Sequence, residues 1–95
     1  MSVTVMGQKL EMPLFCSPTA LQRLFHHEGE LAVARAAEKY GTMSGLSSLG
    51  TVDIMRMSKE ISSPKLFQLY YHKDSGLNNH MIDLCKEANY EAIAL

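Results

Sequence analysis

Leu66-Phe67-Gln68-Leu69-Tyr70 is an apolar run interrupted by one amide and ended by a tyrosine. A lone glutamine among such neighbours carries up to four hydrogen-bonding requirements into a buried place, so it must meet a partner. Three similar short runs lie on either side of it. Leu14-Phe15-Cys16 ends in Ser17 and Thr19, the stretch from Thr42 ends in Ser47 and Ser48, and Ala92-Ile93-Ala94-Leu95 closes the 95 residues. Runs without polar alternation suit strands covered on both faces, as in parallel sheets. Their ends at Ser17, Ser47, Tyr70 and Leu95 are spaced by roughly 23 to 30 residues, the length of a right-handed βαβ crossover. Polar side chains gathered at the C-terminal ends of parallel strands are how a β/α barrel displays its active site.

Helical signals fill the intervals. Glu28 and Glu30 place acids at the positive end of Leu31-Ala32-Val33-Ala34-Arg35-Ala36-Ala37, and Gly41 supplies a left-handed C-cap after Tyr40. Thr51 is expected to cap a second helix whose Ile54, Met57 and Ile61 recur at i, i+3, i+7, and Pro64 closes that connection. Met81, Leu84, Cys85 and Ala88 form the buried stripe of a third. Ahead of the repeating part, residues 1–11 contain a loose alternation around Met6-Gly7-Gln8, which predicts a hairpin laid across the barrel bottom. The expected fold is therefore α/β: a partial TIM (β/α)8 barrel, strands 1–4 with three intervening helices, preceded by a short hairpin. A closed barrel needs roughly 250 residues, so these 95 are read as the N-terminal part of one such domain.

Composition narrows the function. Nine basic residues against ten acidic ones provide no field for nucleic acid or an anionic membrane. No apolar run approaches the ~20 residues of a membrane-spanning helix, and Met1-Ser2-Val3-Thr4 lacks the form of a signal peptide. A cytoplasmic protein is the expectation, with peroxisomal or membrane-peripheral placement left open. Cys16 and Cys85 lie far apart on apolar faces and read as reduced core residues. His26-His27 sits on a loop where adjacent side chains point apart, and no further ligand falls at a matching interval, so no metal site is expected.

Taken singly, the strand-end residues have plain explanations. Ser17 and Thr19 suit the turn after a strand, Ser47-Ser48 suits a loop leading into a helix, and Tyr70 suits a core. Together they resemble a family. Met12-Pro13 leading through Ser17-Pro18-Thr19-Ala20, His27-Glu28-Gly29-Glu30 running into Ala34-Arg35-Ala36-Ala37, Leu46-Ser47-Ser48, and Phe67-Gln68-Leu69-Tyr70 followed by Lys73-Asp74 occur in the order and spacing seen in one group. That group is the FMN-dependent α-hydroxy acid dehydrogenase and oxidase family, which includes glycolate oxidase and L-lactate dehydrogenase.

The resemblance implies FMN as cofactor and a small 2-hydroxy acid as substrate. It implies that Pro18, Thr19 and Ala20 pass along the flavin ring, with Ala20 also bordering the substrate. Ser47 is similar to a serine bonding the flavin, and Gln68 to the glutamine contacting its pyrimidine portion. Tyr70 resembles the tyrosine whose hydroxyl bonds the substrate. Leu49 falls where glycolate oxidases carry a tryptophan, which implies a pocket enlarged for lactate or a longer acid. The family's base, its carboxylate-binding arginines and its phosphate site come from later strands, so no catalytic base is expected within these residues. The complete protein is expected to be a homo-oligomeric oxidoreductase passing electrons to oxygen, a quinone or a cytochrome. Two alternatives stand beside it: another FMN or phosphate barrel, such as a type 2 isopentenyl-diphosphate isomerase or an IMP dehydrogenase-like protein, and a truncated, non-catalytic product.

Overall fold

The computed structural model describes residues 1–95. Strands β1 (Val3–Val5) and β2 (Gln8–Leu10) pair antiparallel around a two-residue turn in which Met6 and Gly7 both take positive φ. Such turns match the natural twist of a hairpin. Helix α1 (Glu30–Lys39), strand β3 (Ser44–Ser47), helix α2 (Ile54–Glu60), strand β4 (Lys65–Gln68), helix α3 (Ser75–Glu87) and strand β5 (Ala92–Ala94) follow. The last three strands form one parallel sheet in sequential order, β3-β4-β5. Gly41, at φ +69° just after Tyr40, ends α1 as expected.

The period of two in a strand divides the sheet into two faces with different cover. Leu46, Phe67 and Leu69 pack outward against Leu31, Ala34, Ile54, Met57, Ile61, Cys85 and Ala88 of the helical layer. The expected stripes of the second and third helices thus pack into this core, Met81 and Leu84 only partly buried, and burial raises the Cys85 thiol to about 11. On the opposite face, Met43 and Leu66 pack with Leu10 and are flanked by Val3, Val5, Ala92 and Ala94. The hairpin closes the N-terminal end of this inner face with an apolar floor. Above the floor the register aligns Ser47 with Gln68 and Gln68 with Ala94. Polarity therefore begins where the floor ends.

Four expectations are corrected. Leu14-Phe15-Cys16 does not form a strand covered on both faces. Cys16 alone makes a parallel bridge to Ser44, through Cys16 N–H to Met43 O at 3.0 Å and Gly45 N–H to Cys16 O at 2.8 Å. Pro13 and Pro18 bracket the run and lack donors to extend the ladder, and Leu14 and Phe15 are 68% and 40% exposed. Cys16 is accordingly half-buried, although both cysteines are free thiols as expected. The second helix is capped by Asp53, whose carboxylate accepts from the Arg56 N–H at 3.3 Å; Thr51 turns to Glu30 instead. Finally, the rings of His26 and His27 stack with centroids 4.5 Å apart.

Candidate functional site

The C-terminal ends of β3 and β4 are bonded to each other through side chains. The Ser47 hydroxyl donates to Gln68 Oε1 at 3.1 Å and accepts from the Leu49 N–H at 3.1 Å. The Ser48 hydroxyl donates to the Gln68 carbonyl at 2.9 Å and accepts from the Tyr70 N–H at 3.0 Å. Ser47 is buried and Gln68 half-buried. With Oε1 engaged by Ser47, the Gln68 carboxamide turns its NH₂ group away from that partner. The hydrogen-bonding need read from the sequence is met on one side and open on the other.

The segment Pro18-Thr19-Ala20 is laid across β3 at close range. A Cβ at Gly45 would stand 2.7 Å from both the Cδ and the N of Pro18, so only glycine lets the loop approach the strand this closely. The Thr19 carbonyl accepts from Gln22 Nε2 at 3.0 Å, which ties the segment to the short 3₁₀ turn at Gln22–Leu24. Leu21 then takes a left-handed conformation, and its N–H donates to the Leu49 carbonyl at 3.1 Å. Hence the loop after the first run and the turn after β3 are joined backbone to backbone. Thr19 is exposed, whereas Pro18 and Ala20 are half-buried.

Tyr70 and Leu49 lie at the open rim, each 50% exposed. The loop beyond Tyr70 is held by Asn78, a buried amide near the start of α3 that accepts from the His72 N–H at 2.9 Å and donates to the His72 carbonyl at 2.8 Å. Nothing in the local pattern singled out Asn78, and only the three-dimensional path of the loop shows its use. Ser48 and Glu30 were visible as polar residues, but their bonding roles were not. The structure thus brings Ser47, Gln68 and the Pro18–Ala20 loop together around one end of β3, with Leu49 and Tyr70 at the edge.

No histidine side chain bonds to these strand-end groups; His72 enters only through its backbone bonds to Asn78. His26, His27 and Glu28 place ligand-type atoms within 4.8 Å of one another, all on exposed side chains. The His26 Nδ1 accepts from the Glu28 N–H at 3.2 Å, and Arg35 holds the Glu28 carboxylate at 3.3 Å, which makes the trio an ordinary bonded loop surface. A cavity of about 270 Å³ opens between the outer face of the sheet and helices α2 and α3, walled by Ser47, Ser48 and Gly50 of the turn after β3 together with Leu77 and His80.

Neutral hydroxyls, a carboxamide and backbone groups on rigid strand ends form a donor set suited to the polar edge of a flavin, which needs several hydrogen-bond partners and no committed charge. Comparison with known proteins agrees. The family model for FMN-dependent dehydrogenases matches residues 1–95. Glycolate oxidase of Spinacia oleracea is 38% identical over 95 residues, covering all of this chain and 26% of that protein. L-lactate oxidase of Nostoc sp. is 42% identical over 99 aligned positions, covering all of this chain and 27% of its own length. A solved mandelate oxidase variant bearing a monooxide FMN adduct superposes with a TM-score of 0.91 at 33% identity, over 97% of this chain and 29% of the other. The chain spans about a quarter of the length of the curated relatives it matches. FMN is the cofactor named in the family's description and carried by that solved neighbour. These 95 residues belong to the FMN-dependent dehydrogenase family.

Proposed function

We propose that the chain is the N-terminal part of a (β/α)8 barrel which, when complete, oxidises a small L-2-hydroxy acid to the corresponding 2-oxo acid. The observation that carries this is the bonded pair Ser47 and Gln68 on the inner face of the sheet, above an apolar floor and beside the Pro18–Ala20 loop. Gln68 and Ser47 would hold the polar edge of FMN, and the backbone of Pro18, Thr19 and Ala20 would run along the ring. The chemistry FMN supplies when bound is acceptance of the two electrons released as the substrate's α-carbon becomes a carbonyl. Tyr70, exposed at the rim, would donate its hydroxyl to the substrate, and Ala20 and Leu49 would border the substrate's side chain.

Removing a proton from the hydroxy acid requires a base, and holding its carboxylate calls for cationic partners. We assign both to residues beyond the quarter described here. Dioxygen is the electron acceptor supported by the relatives, which are named oxidases. Leu49, where the resemblance places a tryptophan in glycolate oxidases, would leave room that favours lactate over glycolate. The test is anaerobic addition of L-lactate to the purified full-length polypeptide that carries residues 1–95. Bleaching of the oxidised-flavin band with stoichiometric 2-oxo acid supports the assignment. A protein that purifies without flavin, or whose flavin stays oxidised with every 2-hydroxy acid, overturns it.

A further inference from the structure

Glu30 opens α1, yet its carboxylate is turned inward and the residue is 2% exposed. Both oxygens face Thr51. The Thr51 N–H lies 3.1 Å from Oε1 and 2.8 Å from Oε2, and the Thr51 hydroxyl donates to Oε2 at 2.9 Å and also reaches Oε1. The chain's three ion pairs use Glu28, Glu60, Arg35 and Arg56, and none involves Glu30. Burying a carboxylate is costly unless hydrogen bonds replace its water. An acid near a helix N-terminus gains its favourable electrostatics at the surface as well as inside. Helix stability alone therefore gives no reason to bury this one.

The burial joins α1 to the turn leaving β3. That turn is closed by the Gly50 N–H donating to the Ser47 carbonyl at 2.9 Å, and it lies directly on the carboxylate: a Cβ at Gly50 would come 3.6 Å from Glu30 Oε2 and 2.8 Å from the Ser47 carbonyl oxygen. Its remaining polar groups are already committed. Ser47 bonds Leu49 and Gln68, Ser48 bonds Gln68 and Tyr70, and the Leu49 carbonyl accepts from Leu21. A displacement of Thr51 is thus passed to Leu49, Ser47 and Gln68 with few free groups to absorb it.

We propose that Glu30 is a positioning residue for the flavin and substrate face, acting through Thr51 to fix the turn that carries Ser47, Ser48 and Leu49. The inference rests on the flavin-binding function proposed above. It is tested in the full-length flavoprotein with Glu30→Gln, Thr51→Val and Thr51→Ser. Glu30→Gln replaces one acceptor with a donor, Thr51→Val deletes the hydroxyl, and Thr51→Ser restores it. The first two should each raise the FMN dissociation constant and the hydroxy acid KM by about ten-fold or more, the scale of losing a hydrogen bond to a charged group. They should also change the visible circular dichroism of the bound flavin. Thr51→Ser should match the parent in all three. If Glu30→Gln fails to fold, the Thr51→Val and Thr51→Ser pair decides. Parental flavin affinity, KM and dichroism in Thr51→Val, with only a lower melting temperature, would reduce Glu30 to a structural residue and overturn the inference. A parent protein without flavin or turnover would instead remove the function on which it rests.

Discussion

Replacing Tyr70 by Phe separates a role in chemistry from a role in folding. The Tyr70 side chain is half exposed, and within the chain the residue is held through its backbone N–H, which donates to Ser48. The ring remains after substitution and the hydroxyl has no intramolecular bond to lose, so stability should change by no more than about 0.5 kcal/mol. If the hydroxyl donates to charge on the substrate, its loss costs about 1.5–3 kcal/mol, or roughly 10- to 150-fold in kcat/KM. Three measurements on the full-length polypeptide check this: melting temperature, flavin bound per chain, and kcat/KM for L-lactate. The first two should match the parent while the third falls. Gln68→Leu should do the reverse, because it strips the partner of the Ser47 hydroxyl from the inner face, and flavin content should drop first. Loss of flavin from Tyr70→Phe, with unchanged turnover per remaining flavin, would refute the division of roles between the two residues.

Further outcomes follow from single contacts. Leu49→Trp fills the rim and should move the substrate preference toward glycolate, each excluded methylene being worth about 1–3 kcal/mol; equal kcat/KM ratios for glycolate, lactate and 2-hydroxybutyrate before and after would exclude Leu49 from the pocket. Gly45→Ala forces a methyl group to within 2.7 Å of Pro18 and should cost about 1–3 kcal/mol of stability together with flavin affinity, read from thermal melts and FMN titration. The Ser62 hydroxyl donates to Glu38 at 2.6 Å and the Ser62 amide at 2.7 Å, which holds this carboxyl below the ordinary glutamate range. Its stabilising contribution is therefore present above the unfolded glutamate pKa and fades as pH falls through the folded one. Glu38→Gln should flatten that part of the acid limb of a stability-against-pH curve, and an unchanged limb would show that these bonds do not favour the charged form.

Much of the helix packing and of the polar strand ends was legible because helix stripes and strand-end polarity are local properties. Ile54, Met57 and Ile61 had to face one way, and so did Cys85 and Ala88. Gln68 announced a partner because an amide cannot be buried alone, and Ser47 proved to be that partner on its Oε1 side. What escaped notice depends on contacts between distant segments. Thr51 has the right chemistry for an N-cap, but a buried carboxylate 21 positions away claims its hydroxyl and Asp53 takes the cap. Leu14-Phe15-Cys16 has strand composition, yet composition does not supply a neighbour, and with prolines on both sides only Cys16 pairs. Asn78 looks like any polar helix residue until the loop at His72 folds back onto it. The resemblance to flavin-dependent hydroxy acid enzymes was readable from four separated motifs, and the family comparisons agree with it along the whole chain.

The chain leaves apolar surface at two edges of its sheet, with Leu14 and Phe15 beside β3 and Ile93 and Leu95 at β5. Unpaired edges and uncovered apolar faces template association. The most direct measurement is therefore a paired one: native mass and bound flavin for residues 1–95 alone and for the full-length polypeptide, purified identically. Residues 1–95 alone should be colourless and associated, and the full-length polypeptide should be yellow and discrete in mass. A monodisperse, yellow, cooperatively unfolding monomer of residues 1–95 would contradict the partial-barrel architecture, and a colourless full-length protein that fails to take up added FMN would contradict the flavin site.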